Sequence, residues 1–153
     1  MKRRAAILCL LLGAVLALSG CGGGSKEVSY KDGTYTGKSQ IHIDEGDEEG
    51  NGNGYGEVTL TIKDNVITEC EFLTYEEDGT QKDEDYGKSS DSSGSHRDYY
   101  NKAQKAVQAA SKYAEQLVET GSLKEIDAIT GATINYHEFQ EAVEDALKQA
   151  ENK

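Results

Sequence analysis

Apolar and polar positions alternate over Glu57 to Ile62, which places Val58, Leu60 and Ile62 on one face of a strand. Lys63, Asp64 and Asn65 then make a tight turn, and Val66 to Tyr75 returns as a second strand with Val66, Cys70 and Phe72 expected inward. Ahead of this hairpin, Asp32 to Gly37 reads as a turn entering a first strand, with Tyr35, Ile41 and Ile43 as inward candidates. Downstream the period changes. Tyr100, Ala103, Val107, Ala110, Ala114, Leu117 and Val118 recur at helical spacing within Asp98 to Thr120, and Gly121 stands where a C-terminal cap belongs. Alanine dominates that stripe, which predicts close packing of helix on sheet. Leu123 to Ile129 is a short connection or strand. Asn135 to Ala150 is a second amphipathic helix with Phe139, Val143, Ala146 and Leu147 inward, and Asn135 with Glu138 has the spacing of a capping box. Strands first and helices last predict an α+β fold, an antiparallel sheet with a central β-hairpin packed against C-terminal helices.

Two polar stretches interrupt this pattern. Asp44 to Gly54 is acidic and glycine-rich and reads as a loop, and Glu76 to Ser95 is a long acidic, serine-rich loop, mobile or folded over a ligand. The spacing in the first does not fit a twelve-residue calcium loop, because position twelve from Asp47 is Val58. His42, His96 and His137 are scattered, with no metal-ligand spacing and no nucleophile constellation around them. No metal ligand or catalytic side chain is therefore assigned.

The N-terminus decides the compartment. Lys2, Arg3 and Arg4 precede the apolar run Ala5 to Leu18, which is short for a membrane span and reads as a signal peptide. Leu18, Ser19, Gly20 and Cys21 resemble a bacterial lipobox, which implies cleavage before Cys21 and lipidation of its thiol. The expected organisation is a lipoprotein signal peptide over 1–21, a flexible tether over 22–31 and one domain over 32–153, held at the extracytoplasmic face of the cell membrane. The net charge of -12 becomes more negative once the three basic residues of the leader are lost, which disfavours nucleic acid as a partner. Cys9 leaves with the leader and Cys21 carries lipid, so Cys70 has no disulfide partner and reads as a small buried hydrophobe. Redox chemistry in such a chain has to come from an organic cofactor.

One segment carries that possibility. In Asp127, Ala128, Ile129, Thr130, Gly131, Ala132, Thr133, the small Gly131 and Ala132 let backbone approach a phosphate just before a helix start, where anions are favoured. The segment resembles the flavinylation motif of the FMN-binding domain family, whose members include covalently flavinylated subunits of sodium-pumping quinone reductases and ferredoxin-linked redox pumps. The resemblance implies covalent FMN joined through its phosphate to Thr133, Asp127 read by an FMN transferase, and Thr130, Gly131 and Ala132 forming the phosphate-cradling turn. It extends to the hairpin that follows Gly54, Tyr55 and Gly56; Thr74 to Gly87 departs from the redox-pump subunits in being longer and acidic. Tyr55, Tyr75, Tyr86 and Tyr136 are candidates to line the isoalloxazine ring, with Tyr75 and Glu76 ranked first. The implied function is a membrane-anchored electron carrier, an electron-transfer flavoprotein rather than a substrate-specific enzyme, working with a membrane quinol-linked or flavin redox partner. The alternative is a lipoprotein that binds flavin or another small ligand non-covalently, without redox turnover.

Overall fold

The computed structural model describes residues 28–43, 52–89 and 94–152 of the 153-residue chain. The expected signal peptide and lipobox, most of the expected tether and the acidic run after Ile43 lie outside the described residues.

Three strands, β1 (Gly33–Lys38), β2 (Tyr55–Lys63) and β3 (Val66–Tyr75), form an antiparallel sheet in the order β1-β2-β3. Two helices, α1 (Gly94–Thr120) and α2 (Thr133–Ala150), cover one face, with a 3-10 turn at Leu123–Glu125 between them. This is the expected α+β arrangement. Asp64 and Asn65 both take left-handed φ, 51° and 64°, as a two-residue hairpin turn requires. Val58, Leu60 and Ile62 point into the core at 0 to 2 % exposure, each contributing roughly 2 kcal/mol by leaving water.

On β3 the inward set differs from the expected one. A register shift after Thr61 pairs Ile62 with Ile67 while Thr61 still faces Glu69, so Thr68 is the extra residue of a bulge. Parity reverses there, and Ile67 takes the buried position that strict alternation assigns to Val66, which is 56 % exposed. Phe72 is buried as expected and Cys70 is half-buried. Ile41 and Ile43 are also corrected: they are 52 % and 58 % exposed. Among the described residues after β1, Ser39 donates to the Gly56 carbonyl and His42 bridges Gly54 just ahead of β2, while both isoleucines lie off the core face.

The helices approach the sheet closely because small residues line the contact. A Cβ on Gly37 would lie 2.1 Å from the carbonyl of Ala142 and 2.4 Å from the amide nitrogen of Ala146, so α2 rests on β1 backbone. Ala109, Ala110 and Ala114 do the same service for α1, while Val118 at the end of the expected stripe is 38 % exposed. Gly121, at φ +70°, donates to the Leu117 carbonyl and ends α1 as anticipated. The last residues of the expected tether are tied down: Tyr30 bridges Glu151, Lys31 donates to the Ala150 carbonyl, and Tyr30 donates to Asn65 Oδ1.

The described part of the 76–95 loop is folded back on the domain. Lys82 donates to the Thr74 carbonyl, extending β3, and Gln104 of α1 donates to the carbonyls of Asp83 and Tyr86.

Candidate functional site

The segment from Asp127 to Thr133 forms the connection into α2. Ala132 donates to the Ile129 carbonyl at 3.0 Å, closing a four-residue turn in which Gly131 takes φ +85°. That conformation is the reason for a glycine at this position, since the third residue of such a turn needs positive φ. Space above Gly131 is open: an added Cβ would meet nothing within 4 Å.

The turn is held from below by Tyr113 of α1. Its ring is wholly buried, and its hydroxyl accepts from the Ile129 amide at 2.8 Å and donates to the Ala132 carbonyl at 3.1 Å. One side chain thus ties both ends of the turn. The ring sits against Phe139 and Tyr136, each with centroids 5.7 Å away, and Phe139 packs edge-on against Phe72 at 5.0 Å. An aromatic stack therefore runs from β3 through α2 to the turn. Tyr113 was neither among the expected functional residues nor on the expected stripe of α1; its role depends on a hydroxyl whose partners are in another segment.

Helix α2 begins at Thr133, two residues before the expected start, and the expected capping box is absent. Ala132 occupies the cap position and offers no side-chain acceptor. Asn135 instead lies inside the first turn and donates across to the Ala106 carbonyl of α1 at 3.0 Å, so its side chain joins the two helices. Glu138 is buried rather than reaching back. The consequence is a helix whose first amides lack a side-chain partner, a local positive end that favours an anion. Thr133, Thr130, Gly131 and Asp127 are exposed around it, and Ala132 is buried beneath.

Next to this helix start, Gly52 to Gly56, Lys82 and Tyr86 close in. A Cβ on Gly52 would be 3.3 Å from Ile134, and Gly52 donates to the Tyr86 hydroxyl at 3.3 Å. Lys82 is 7 % exposed and donates to the Gly52 carbonyl at 3.2 Å; burial pulls its ammonium below the usual lysine range, against the opposing pull of Glu138 and Glu76. Glu138 is 3 % exposed, and neither carboxylate oxygen has a hydrogen-bond partner. Burial pushes its carboxyl up to about 7, with Lys82 opposing and Glu141 adding to the rise. Glu138 borders a cavity of about 110 Å³ that also touches Gln40, Ile41, His42, Ile134, His137 and Glu141. A larger groove of about 670 Å³ lies elsewhere, between β3 and α1, and touches no residue of the turn.

The expected ring-side tyrosines separate by position. Tyr55 and Tyr75 stack at 5.2 Å on the sheet face away from the helices, with Lys38 Nζ 3.4 Å above the Tyr55 ring. Glu76 follows them and donates its amide to the Thr80 carbonyl. Tyr136 donates to the Ile126 carbonyl at 3.0 Å and packs within the turn's support. Tyr86 is the one beside Lys82 and the start of α2, its ring centroid 5.3 Å from Lys82 Nζ. Among the described residues no group of three histidine, cysteine or carboxylate side chains could hold a metal ion.

Comparison with known proteins agrees with this geometry. The fold is similar to the crystal structure of the CPE2226 protein from Clostridium perfringens, with a TM-score of 0.55 and 24 % identity over 79 % of this chain and 88 % of that one. No curated protein matches. The sequence matches the FMN-binding domain over residues 51–148, from just before β2 to near the end of α2, including the turn and Thr133. The chain belongs to the FMN-binding domain family.

Proposed function

We propose that the chain is a lipid-anchored, extracytoplasmic electron carrier holding one FMN through a phosphoester to Thr133. The observation that carries this reading is the exposed Thr133 hydroxyl at the uncapped start of α2, on a turn pinned at both ends by Tyr113. A phosphate group fits there: the first-turn amides supply donors and the space above Gly131 is open. FMN, when bound, supplies reversible electron transfer that no side chain of this protein provides.

The residues divide the remaining work. Thr133 accepts the phosphoryl linkage from an FMN transferase, which brings the activation, because no base or nucleophile-activating group contacts that hydroxyl among the described residues. Asp127, exposed two residues before Ile129, is available for the transferase to read. Gly131 keeps the turn open to phosphate, and Tyr113 prevents the turn from collapsing toward the core. Tyr86, on the side of the sheet that carries α2, is proposed as the tyrosine contact of the flavin ring; Tyr75 is on the opposite face, and it and Glu76 would be reached only around the end of β3. The cavity of about 110 Å³ beside Glu138 is small for a flavin, and a ring held at the surface would suit exchange of electrons with a membrane quinol-linked or flavin partner. Lipid on Cys21 keeps the domain near that partner, and the covalent link keeps the cofactor from dilution outside the cell.

The test is the intact mass, under denaturing conditions, of the full chain co-expressed with an FMN transferase, for wild type and Thr133→Ala. The expected result is a gain of one phosphoester-linked FMN in the wild type and none in the variant. An unmodified wild type that still binds FMN reversibly would transfer the reading to a non-covalent flavin-binding lipoprotein.

A further inference from the structure

Glu138 stands out from every other buried polar group described. Both its oxygens lack partners although the residue is 3 % exposed, and its neighbours come from several elements. Gly56 of β2 lies against it, since a Cβ there would be 3.1 Å from Glu138 Cβ. Lys82 faces it from the loop after β3 and is shared with Glu76; His42 follows β1, and His137 and Glu141 belong to its own helix. A carboxylate in such a place is unfavourable unless it is neutral or compensated, and Lys82 does not hydrogen-bond to it but to Gly52. The adjoining cavity is polar-lined and large enough for water, so protons can reach the carboxyl although bulk solvent does not. Glu138 also sits five residues along α2 from Thr133, about 7.5 Å along the axis.

We propose that Glu138 is the proton-exchanging group of this flavin site: its carboxylate takes up one proton from water when the bound flavin receives two electrons, and releases it when they leave. The inference rests on the proposed covalent flavin. The electrons come from an external reductant, dithionite in the test, and pass to the flavin, which takes its own proton from solvent; the additional proton forms the O–H bond of the Glu138 carboxyl. Negative charge arriving on a flavin tethered to the same helix raises the proton affinity of the buried carboxylate, so uptake accompanies reduction. Lys82, which compensates Glu138 electrostatically, is a positioning residue that limits how far the carboxyl can be raised.

The experiment is a spectroelectrochemical titration of the flavin in the full chain, loaded by an FMN transferase, across about pH 5 to about pH 9, for wild type and Glu138→Gln. One extra proton per two electrons makes the reduction equilibrium tenfold steeper per pH unit, or about 30 mV. The wild type is expected to show this extra slope above about pH 7, where the oxidised form has lost the Glu138 proton, and the variant to lack it. A second readout needs no variant: the reduced-minus-oxidised infrared spectrum of the wild type at about pH 8 gains a protonated-carboxyl band. Parallel slopes with no such band overturn the inference while the flavin reading stands. A wild type that carries no covalent flavin by mass overturns both.

Discussion

The hydroxyl of Tyr113 donates to the carbonyl of Ala132, 19 residues away, and so joins the middle of α1 to the residue that precedes Thr133. The same oxygen accepts from Ile129, which makes one phenol the keystone of the turn. Helix α1 thus supports the turn from beneath through Tyr113.

Tyr113→Phe keeps the ring and its stacking on Phe139 but takes away the acceptor of the Ile129 amide and leaves the Ala132 carbonyl with the Tyr136 amide as its remaining donor. The expected loss is about 2 kcal/mol in urea unfolding. FMN incorporation by the transferase, measured by mass over time, should slow severalfold. Unchanged incorporation with lowered stability would confine Tyr113 to a packing role.

The buried carboxyl of Glu138 makes the apoprotein's stability pH-dependent in an unusual direction for an acid. Its folded-state value of about 7 lies above the ordinary 4.5, so the folded state holds the proton more tightly than the unfolded state. The stability linked to this proton is therefore full below about 4.5 and is lost as pH rises through about 7, to the extent of about 3 kcal/mol. Glu138→Gln should remove that loss: relative to its value at about pH 4, the variant's stability should fall less by about pH 8 than the wild type's. Urea titrations of both proteins at the two pH values provide the comparison.

Cys70 lies half-buried on β3, and burial, with Glu71 adding, pushes its thiol from 9.0 up to about 12. At about pH 8 the thiolate fraction is then about a thousandfold below that of an ordinary cysteine. Reaction with a disulfide reagent should accordingly be slow in the folded protein and rise by orders of magnitude in denaturant. Fast labelling of folded protein would show that the groove between β3 and α1 leaves the sulfur free to ionise.

Much of the fold was legible in the chain because it follows from local periodicity. Alternation over Glu57 to Ile62, the Asp64-Asn65 turn, the alanine-rich stripe and Gly121 each act through neighbours close in sequence, and the strands, the turn and the end of α1 formed where that pattern placed them, while α1 begins at Gly94, four residues before the expected Asp98. The motif around Thr133 was equally visible, since the need for a glycine at positive φ beside a helix start is written in a few consecutive residues.

What the tertiary structure decided depends on partners distant in sequence. The bulge at Thr68 exchanged Val66 for Ile67 because pairing with β2, not the strand's own alternation, sets which face is buried. Asn135 and Glu138 have capping-box spacing, yet α1 offers Asn135 the Ala106 carbonyl and the sheet covers Glu138, so both side chains left the helix end. Likewise nothing near Tyr113 in the chain marks it out, until the carbonyl and amide that claim its hydroxyl are brought beside it. Sequence alone determined the kind and order of the elements and the glycine turn before Thr133, through interactions local to the chain. Folding decided which polar groups are stranded in the interior, because desolvation depends on what packs from every side.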